Sequence, residues 1–147
     1  MTQIRLFTAD DYDAAYRLWV STPGMGLNTT DDSRQGILRY LARNPTTCFV
    51  AEREDAITGT ILAGHDGRRG MIYHLAVDPN ERRAGIGTKL VQHALDALRA
   101  EGIHKVALVV FAGNERGNAF WERLGFTQRD DLTYRNKRLS ELTRIDT

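Results

Sequence analysis

The segment "VDPNERRAGIGTKLVQHALDAL", residues 77–98, restricts the fold more than any other part of the chain. It leaves an apolar strand through Pro79, places Arg82 and Arg83, and sets Gly85 and Gly87 one residue apart. A helical pattern starts at once: Leu90, Val91, Ala94, Leu95 and Leu98 share a face, and Gly102 ends it. A strand, a glycine loop and a helix in direct succession point to a sheet covered by helices. The first N–H groups of such a helix have no internal partner, and the helix dipole adds positive charge there. Glycines let a phosphate approach the backbone without a Cβ in the way. Arg82, Arg83 and Lys89 can surround it with charge. Taken alone, the loop is either an anion cradle or a helix start with two convenient glycines. It is not a P-loop, because no Lys-Ser/Thr pair follows the second glycine, and Leu90 stands where a dinucleotide fingerprint needs its third glycine.

The remaining elements follow from local pattern. "IRLF" is a first strand, and "TADD" sets Thr8 as N-cap with Asp11 three residues on, a capping-box signature. The next helix carries Ala15, Leu18 and Trp19 on one side. A second runs from about Asp31 to Arg43 on the stripe Ile37, Leu38, Leu41, and Pro45 closes it. "TTCFVAE", "AITGTILAGHD" and "MIYHLAV" are strands, the last two joined as a hairpin through "HDGRRG". "HKVALVVFAG" is a strand covered on both faces. Asn114 N-caps a short helix with Ala119, Phe120 and Leu124 inward, which Gly125 ends. "GFTQRDDLTYRNKRL" is expected to form a final hairpin. The fold class is therefore α/β with α+β character: one mixed sheet in the order β-α-α-β-β-β-α-β-α-β-β. The stretch "STPGMGLNTT", residues 21–30, is the expected flexible segment.

At 147 residues the chain is expected to form one domain, spanning 1–147. The net charge of +1 gives no field that would draw nucleic acid or an anionic membrane. No stretch reaches the roughly 18 apolar residues of a membrane span, and the N-terminus reads as no signal peptide. Cys48 is the one cysteine, so no internal disulfide forms, and a cytoplasmic location is the default expectation. Its place in "TCFVA" is that of a small buried hydrophobe. His65, His93 and His104 lack metal-ligand spacing, so no metal is expected. The run Arg129–Asp131 reads as a solvated turn, and the closing "TRIDT" carries no signal.

Several motifs stand in register with the loop. Arg82-Arg83-Ala84-Gly85-Ile86-Gly87 resembles the acetyl-CoA signature of the GNAT acetyltransferases, Arg/Gln-x-x-Gly-x-Gly/Ala. It follows Ala76-Val77-Asp78-Pro79, similar to that family's "AV-x-P" strand end. Asn114 lies 29 residues beyond Gly85, at the family's spacing, and "AFWERLGF" at 119–126 is close to its "A-x-x-x-Y-E-x-x-GF" pattern. The stretch 59–77 is most similar to the YpeA-type subgroup. The resemblance implies a GNAT-like mixed central sheet. It also implies acetyl-CoA as cosubstrate, held by the backbone of Arg83, Ala84, Gly85, Ile86, Gly87 and Thr88 with Arg82 beside them. Leu75, Ala76 and Val77 would pair with the pantetheine arm as with an added strand. Asn114 would reach the CoA arm, and a strand N–H near Ala76–Val77 would polarise the thioester carbonyl. The acceptor would be a primary amine, attacking directly; a homodimer is also within the family's range.

The sequence departs from that family where acid–base chemistry is expected. The two positions that supply a carboxylate base match Met71 and Val109, and the tyrosine acid is Trp121, an indole donor that does not titrate. Tyr73, Trp121 and Tyr134 are the remaining catalytic candidates, with Trp121 doubling as an apolar wall over the CoA arm. Tyr73 alternates with Met71 on one strand face, and His74 is expected on the opposite one. Two functions stay open: an N-acetyltransferase acting on a small amine or a protein N-terminus, and a CoA-binding module with little turnover, a sensor or partner protein. Acceptor choice would lie in residues 20–34.

Overall fold

A computed structural model describes residues 1–145; Asp146 and Thr147, the end of "TRIDT", lie outside the described residues. The elements are β1 (Thr2–Leu6), α1 (Tyr12–Val20), β2 (Leu27–Asn28), α2 (Arg34–Arg43), β3 (Phe49–Arg53), β4 (Ala56–His65), β5 (Gly70–Val77), α3 (Ile86–Ala100), β6 (Val106–Ala107), α4 (Glu115–Arg123) and β7 (Arg144–Ile145). Five strands form one sheet in the order β1-β3-β4-β5-β6. The first three pairings are antiparallel and β5–β6 is parallel, so α3 is the crossover that a parallel pair requires.

Strand alternation sends two cores to opposite faces. Phe7, Ala15, Trp19, Ile37, Val50, Leu62 and Ala76 meet under α1 and α2. Ala51, Ile61, Ala63, Ile72, Ile86, Leu90, Val91, Ala94 and Leu98 meet under α3. The α1 entry is fixed as expected: the Asp11 carboxylate accepts the Thr8 N–H at 2.9 Å and takes both Arg5 Nη atoms at 2.8 Å. Ser33 caps α2 by accepting the Gly36 N–H at 3.0 Å, which moves its start from Asp31 to Arg34.

Three expectations on element extent are corrected. The strand at 104–113 shortens to two residues, because beyond Ala107 it has parted from β5 and has no ladder partner among the described residues. The final hairpin does not form: among the described residues, 126–143 hold no strand. Past Phe126, the apolar side chains Leu132, Tyr134 and Leu139 point to solvent, so they offer no apolar face for a hairpin to bury. A short β7 pairs instead with β2. Within the stretch expected to be flexible, Leu27 is core and 1% exposed. Its loop is bound up by Asn28, whose Oδ1 accepts the N–H groups of Thr30 and Asp31.

Candidate functional site

The glycine loop lies open at the start of α3. Pro79–Ala84 make a 3-10 turn, and Gly85 then takes φ +74°, the left-handed region that suits glycine. No side chain caps α3, and the first helical bond at its start is Lys89 N–H to Gly85 O at 3.1 Å. The N–H groups of Ile86, Gly87 and Thr88 have no partner within α3, the arrangement that suits an anion. A Cβ on Gly85 would stand in open space, whereas one on Gly87 would touch Phe120 at 3.4 Å and Val77 at 3.7 Å. The second contact matters: it shows that the loop runs directly onto the end of β5.

Among the described residues, no strand pairs with that end of β5 on the side away from β4. Parallel pairing to β6 covers only Gly70 and Met71. Asp78 N–H donates to Thr58 O at 2.8 Å, so alternation turns the Ala76 N–H toward β4 and those of Leu75 and Val77 toward the open side. An extended chain laid here would find backbone donors and acceptors waiting. Trp121 is buried in the α3-side core, ring centroids 5.1 Å from both Phe120 and Phe126. Asn114 caps α4 by accepting the Gly117 N–H at 2.9 Å.

A crevice of about 260 Å³ continues along the other half of β5, lined by Gly64, His65, Asp66, Arg69, Gly70, Met71, Tyr73, Lys105 and Ala107. Tyr73 stands edge-on to Tyr40 of α2, centroids 5.9 Å apart. Burial pushes its phenol above the ordinary tyrosine value, with smaller contributions from Tyr134 and Asp31, while Tyr134 itself is exposed. Trp121 does not join Tyr73, since it belongs to the opposite face. The Gly64 position is obligatory: a Cβ there would sit 2.6 Å from the Asn44 carboxamide.

The crevice holds no ready proton acceptor among the described residues. His65 has both ring nitrogens engaged, Nδ1 accepting the Gly67 N–H at 2.9 Å and Nε2 lying 2.8 Å from Glu101 Oε1. Backbone N–H groups of Arg69 and Arg68 hold the Asp66 carboxyl below its ordinary value, which makes it a weak base. Val109 is 60% exposed on the far edge. Cys48 is buried, its thiol pushed up to about 12 by that burial. No group of three potential metal ligands exists among the described residues, and no helix there is long and apolar enough to cross a membrane.

The expectation for His74 is corrected. It does not oppose Tyr73; both rings lie on the α1/α2 face, His74 packing on Trp19 at 4.8 Å. The cause is a bulge: Leu62 faces Tyr73 and Thr60 faces Ala76, so β5 carries one extra residue, and His74 has φ +49°. His74 Nε2 is 2.5 Å from Asp32 Oδ1. Asp32, Thr60 and Trp19 are absent from the sequence-derived site. Asp32 sits in "TTDDS", which reads only as a helix start, and nothing local marks its partner.

The family model described as "Acetyltransferase (GNAT) family" matches residues 10–126. A protein named Acetyltransferase SG1711, from Sodalis glossinidius, is 32% identical over 139 residues, 95% of this chain and 96% of that one. Among solved structures, a predicted acetyltransferase with acetyl-CoA from Clostridium acetobutylicum has a TM-score of 0.72 at 20% identity, over 92% of this chain and 96% of that one. The ribosomal-protein-S18-alanine N-acetyltransferase from Escherichia coli has a TM-score of 0.70 at 23% identity, over 88% and 79%. At such identities the structures bear on the fold, and they share the GNAT-like mixed sheet. The chain belongs to the GNAT acetyltransferase family.

Proposed function

We propose that this acetyltransferase binds acetyl-CoA along the glycine loop and the open edge of β5, and passes the acetyl group to a primary amine entering by the Tyr73 crevice. The observation that carries this is the continuity of the two parts. Uncapped N–H groups at Ile86–Thr88 suit the pyrophosphate, and the outward N–H groups of Leu75 and Val77 lie beyond the Gly87–Val77 contact, where the arm would run. Arg82 would add charge at the loop, with the backbone of Arg83, Ala84 and Gly85 completing it. Asn114 would meet the arm from the α4 side. The nitrogen lone pair attacks the thioester carbonyl carbon, forming C–N. The C–S bond then breaks, CoA leaves as thiolate, and the amine proton passes to water. Tyr73, with its phenol held protonated, is a donor in this step, and Tyr134 shapes the entrance.

Because no free base lines the crevice, the amine must arrive neutral. An α-amino group titrates near 7.7–8.0, so about a fifth is neutral at pH 7.2, against under about 0.1% of a lysine side chain. The acceptor class is therefore an amine of low pKa, a small molecule or a peptide N-terminus. The S18-alanine enzyme among the structural relatives acts on an amine of that class by its name. Calorimetry with acetyl-CoA, followed by turnover over an amine panel at fixed pH, tests this. Faster acetylation of lysine side chains than of α-amines overturns the acceptor class. The same lack of a base favours a second reading, a CoA-binding module with little turnover; tight acetyl-CoA binding with no product across the panel would select it.

A further inference from the structure

Near the start of β5 the Gly70 N–H donates to Lys105 O at 3.0 Å, so even-numbered residues there face β6. Near its end Asp78 N–H donates to Thr58 O, so odd-numbered residues face the open edge. A strand cannot change phase without an extra residue, and the bulge at His74 supplies it. The same step leaves Met71 and Tyr73 toward α2 and Leu75 and Val77 toward α3. A left-handed φ on a non-glycine residue is costly, and persists where surroundings over-determine it. Here they do. The His74 carbonyl accepts Thr60 Oγ1–H at 2.9 Å, and Thr60 in turn accepts the Trp19 indole N–H at 2.9 Å. The ring is fixed at Nε2 by Asp32, whose second oxygen accepts the Asn28 N–H at 2.8 Å and whose carbonyl accepts the Tyr12 hydroxyl at 2.6 Å. His74 and Asp32 side chains are only 10% and 6% exposed, and His74 lines neither the crevice nor the smaller cavity beside Tyr12.

We infer that His74, pinned by Asp32, is a positioning residue for acetyl transfer: it holds the bulge that turns the Leu75 and Val77 N–H groups into the acyl-carrying cleft. The inference rests on the acetyl-CoA reading above. It also ties the cleft to the 28–33 loop on the acceptor side, 42 residues away in sequence. Coenzyme A titrated into 15N-labelled protein tests it, with His74→Gly, which keeps the left-handed backbone and removes the ring, and Asp32→Ala, which removes the pin alone. In the wild type, the amides of Ile86–Thr88 and of Leu75 and Val77 shift together. In either variant the loop amides still shift and the Leu75 and Val77 shifts are lost. On the best amine of the panel the rate constant falls about 10²-fold, as misplacement of about 1 Å can cause. The double variant is no worse than either single, because one device has been removed once. Retained Leu75 and Val77 shifts, or single effects that multiply in the double variant, overturn the inference. Silence at the loop amides in the wild type overturns the acetyl-CoA reading instead, and this inference with it.

Discussion

The two faces of the sheet are built by different means. Under α3 the enclosed side chains are apolar, and Leu90, Ala94 and Ile61 are fully buried. Under α1 and α2 the core is threaded with polar groups: Asp11, Asp32, Asn44, Thr47 and Thr60 are all buried. Thr47 Oγ1 donates to Ala63 O at 2.6 Å, and the Trp19–Thr60–His74 chain crosses from helix to strand. An apolar face needs only shape and volume, which suffices to press a helix N-terminus against a strand end. A face that must fix a bulge and a loop needs direction, and hydrogen bonds supply it. The glycine loop sits against the first kind of face and the Tyr73 crevice opens on the second.

The contrast is broken most severely by Leu90→Ala. It leaves a cavity under α3 and should cost about 2–5 kcal/mol in chemical denaturation. On the other face Thr60→Val keeps volume but strands the buried Trp19 indole N–H and should cost about 1–3 kcal/mol. If Thr60→Val came out below about 0.5 kcal/mol, direction would not be what holds that face. Gly85→Ala sharpens the loop side: a left-handed alanine costs about 1–2 kcal/mol, and the new Cβ enters the space an anion would take. Acetyl-CoA affinity should fall at least about tenfold by calorimetry, and a wild-type affinity would remove the loop as its site. Trp121→Phe should change acetyl-CoA affinity and the rate constant little, because an enclosed indole between Phe120 and Phe126 serves as a wall. A large fall in rate at unchanged affinity would assign its N–H a role.

The smallest effect is pH-dependent. Burial alone would raise the Asp11 carboxyl, but the bonds from Arg5 and the Thr8 backbone outweigh it and hold it below its ordinary value. Its contribution is therefore present above about pH 4, the unfolded carboxylate value, and is lost as pH falls through the lower folded value. Asp11→Asn should cost about 1 kcal/mol at pH 7, and melting temperatures of the two proteins should converge in acid. A gap that persisted or widened below pH 3 would show that the cap geometry, and not the charge, is what stabilises α1.

Much of this molecule follows from local rules. The run from Val77 to Leu98 specifies a strand end, a left-handed glycine, an uncapped helix start and an apolar stripe, since each depends on residues within a turn or two. The two-residue alternation of β4 is equally legible, with Gly59, Ile61 and Ala63 on one face and Thr60, Leu62 and Gly64 on the other. Tertiary structure alone decided the rest. Whether "HKVALVVFAG" forms a long strand depends on a partner beside it, and past Ala107 there is none among the described residues. The bulge at His74 has no signature, because no glycine marks it and the period-two pattern reads straight through. It exists because Asp32, Trp19 and Thr60, brought in from three other segments, offset a backbone strain that no neighbour in sequence could relieve.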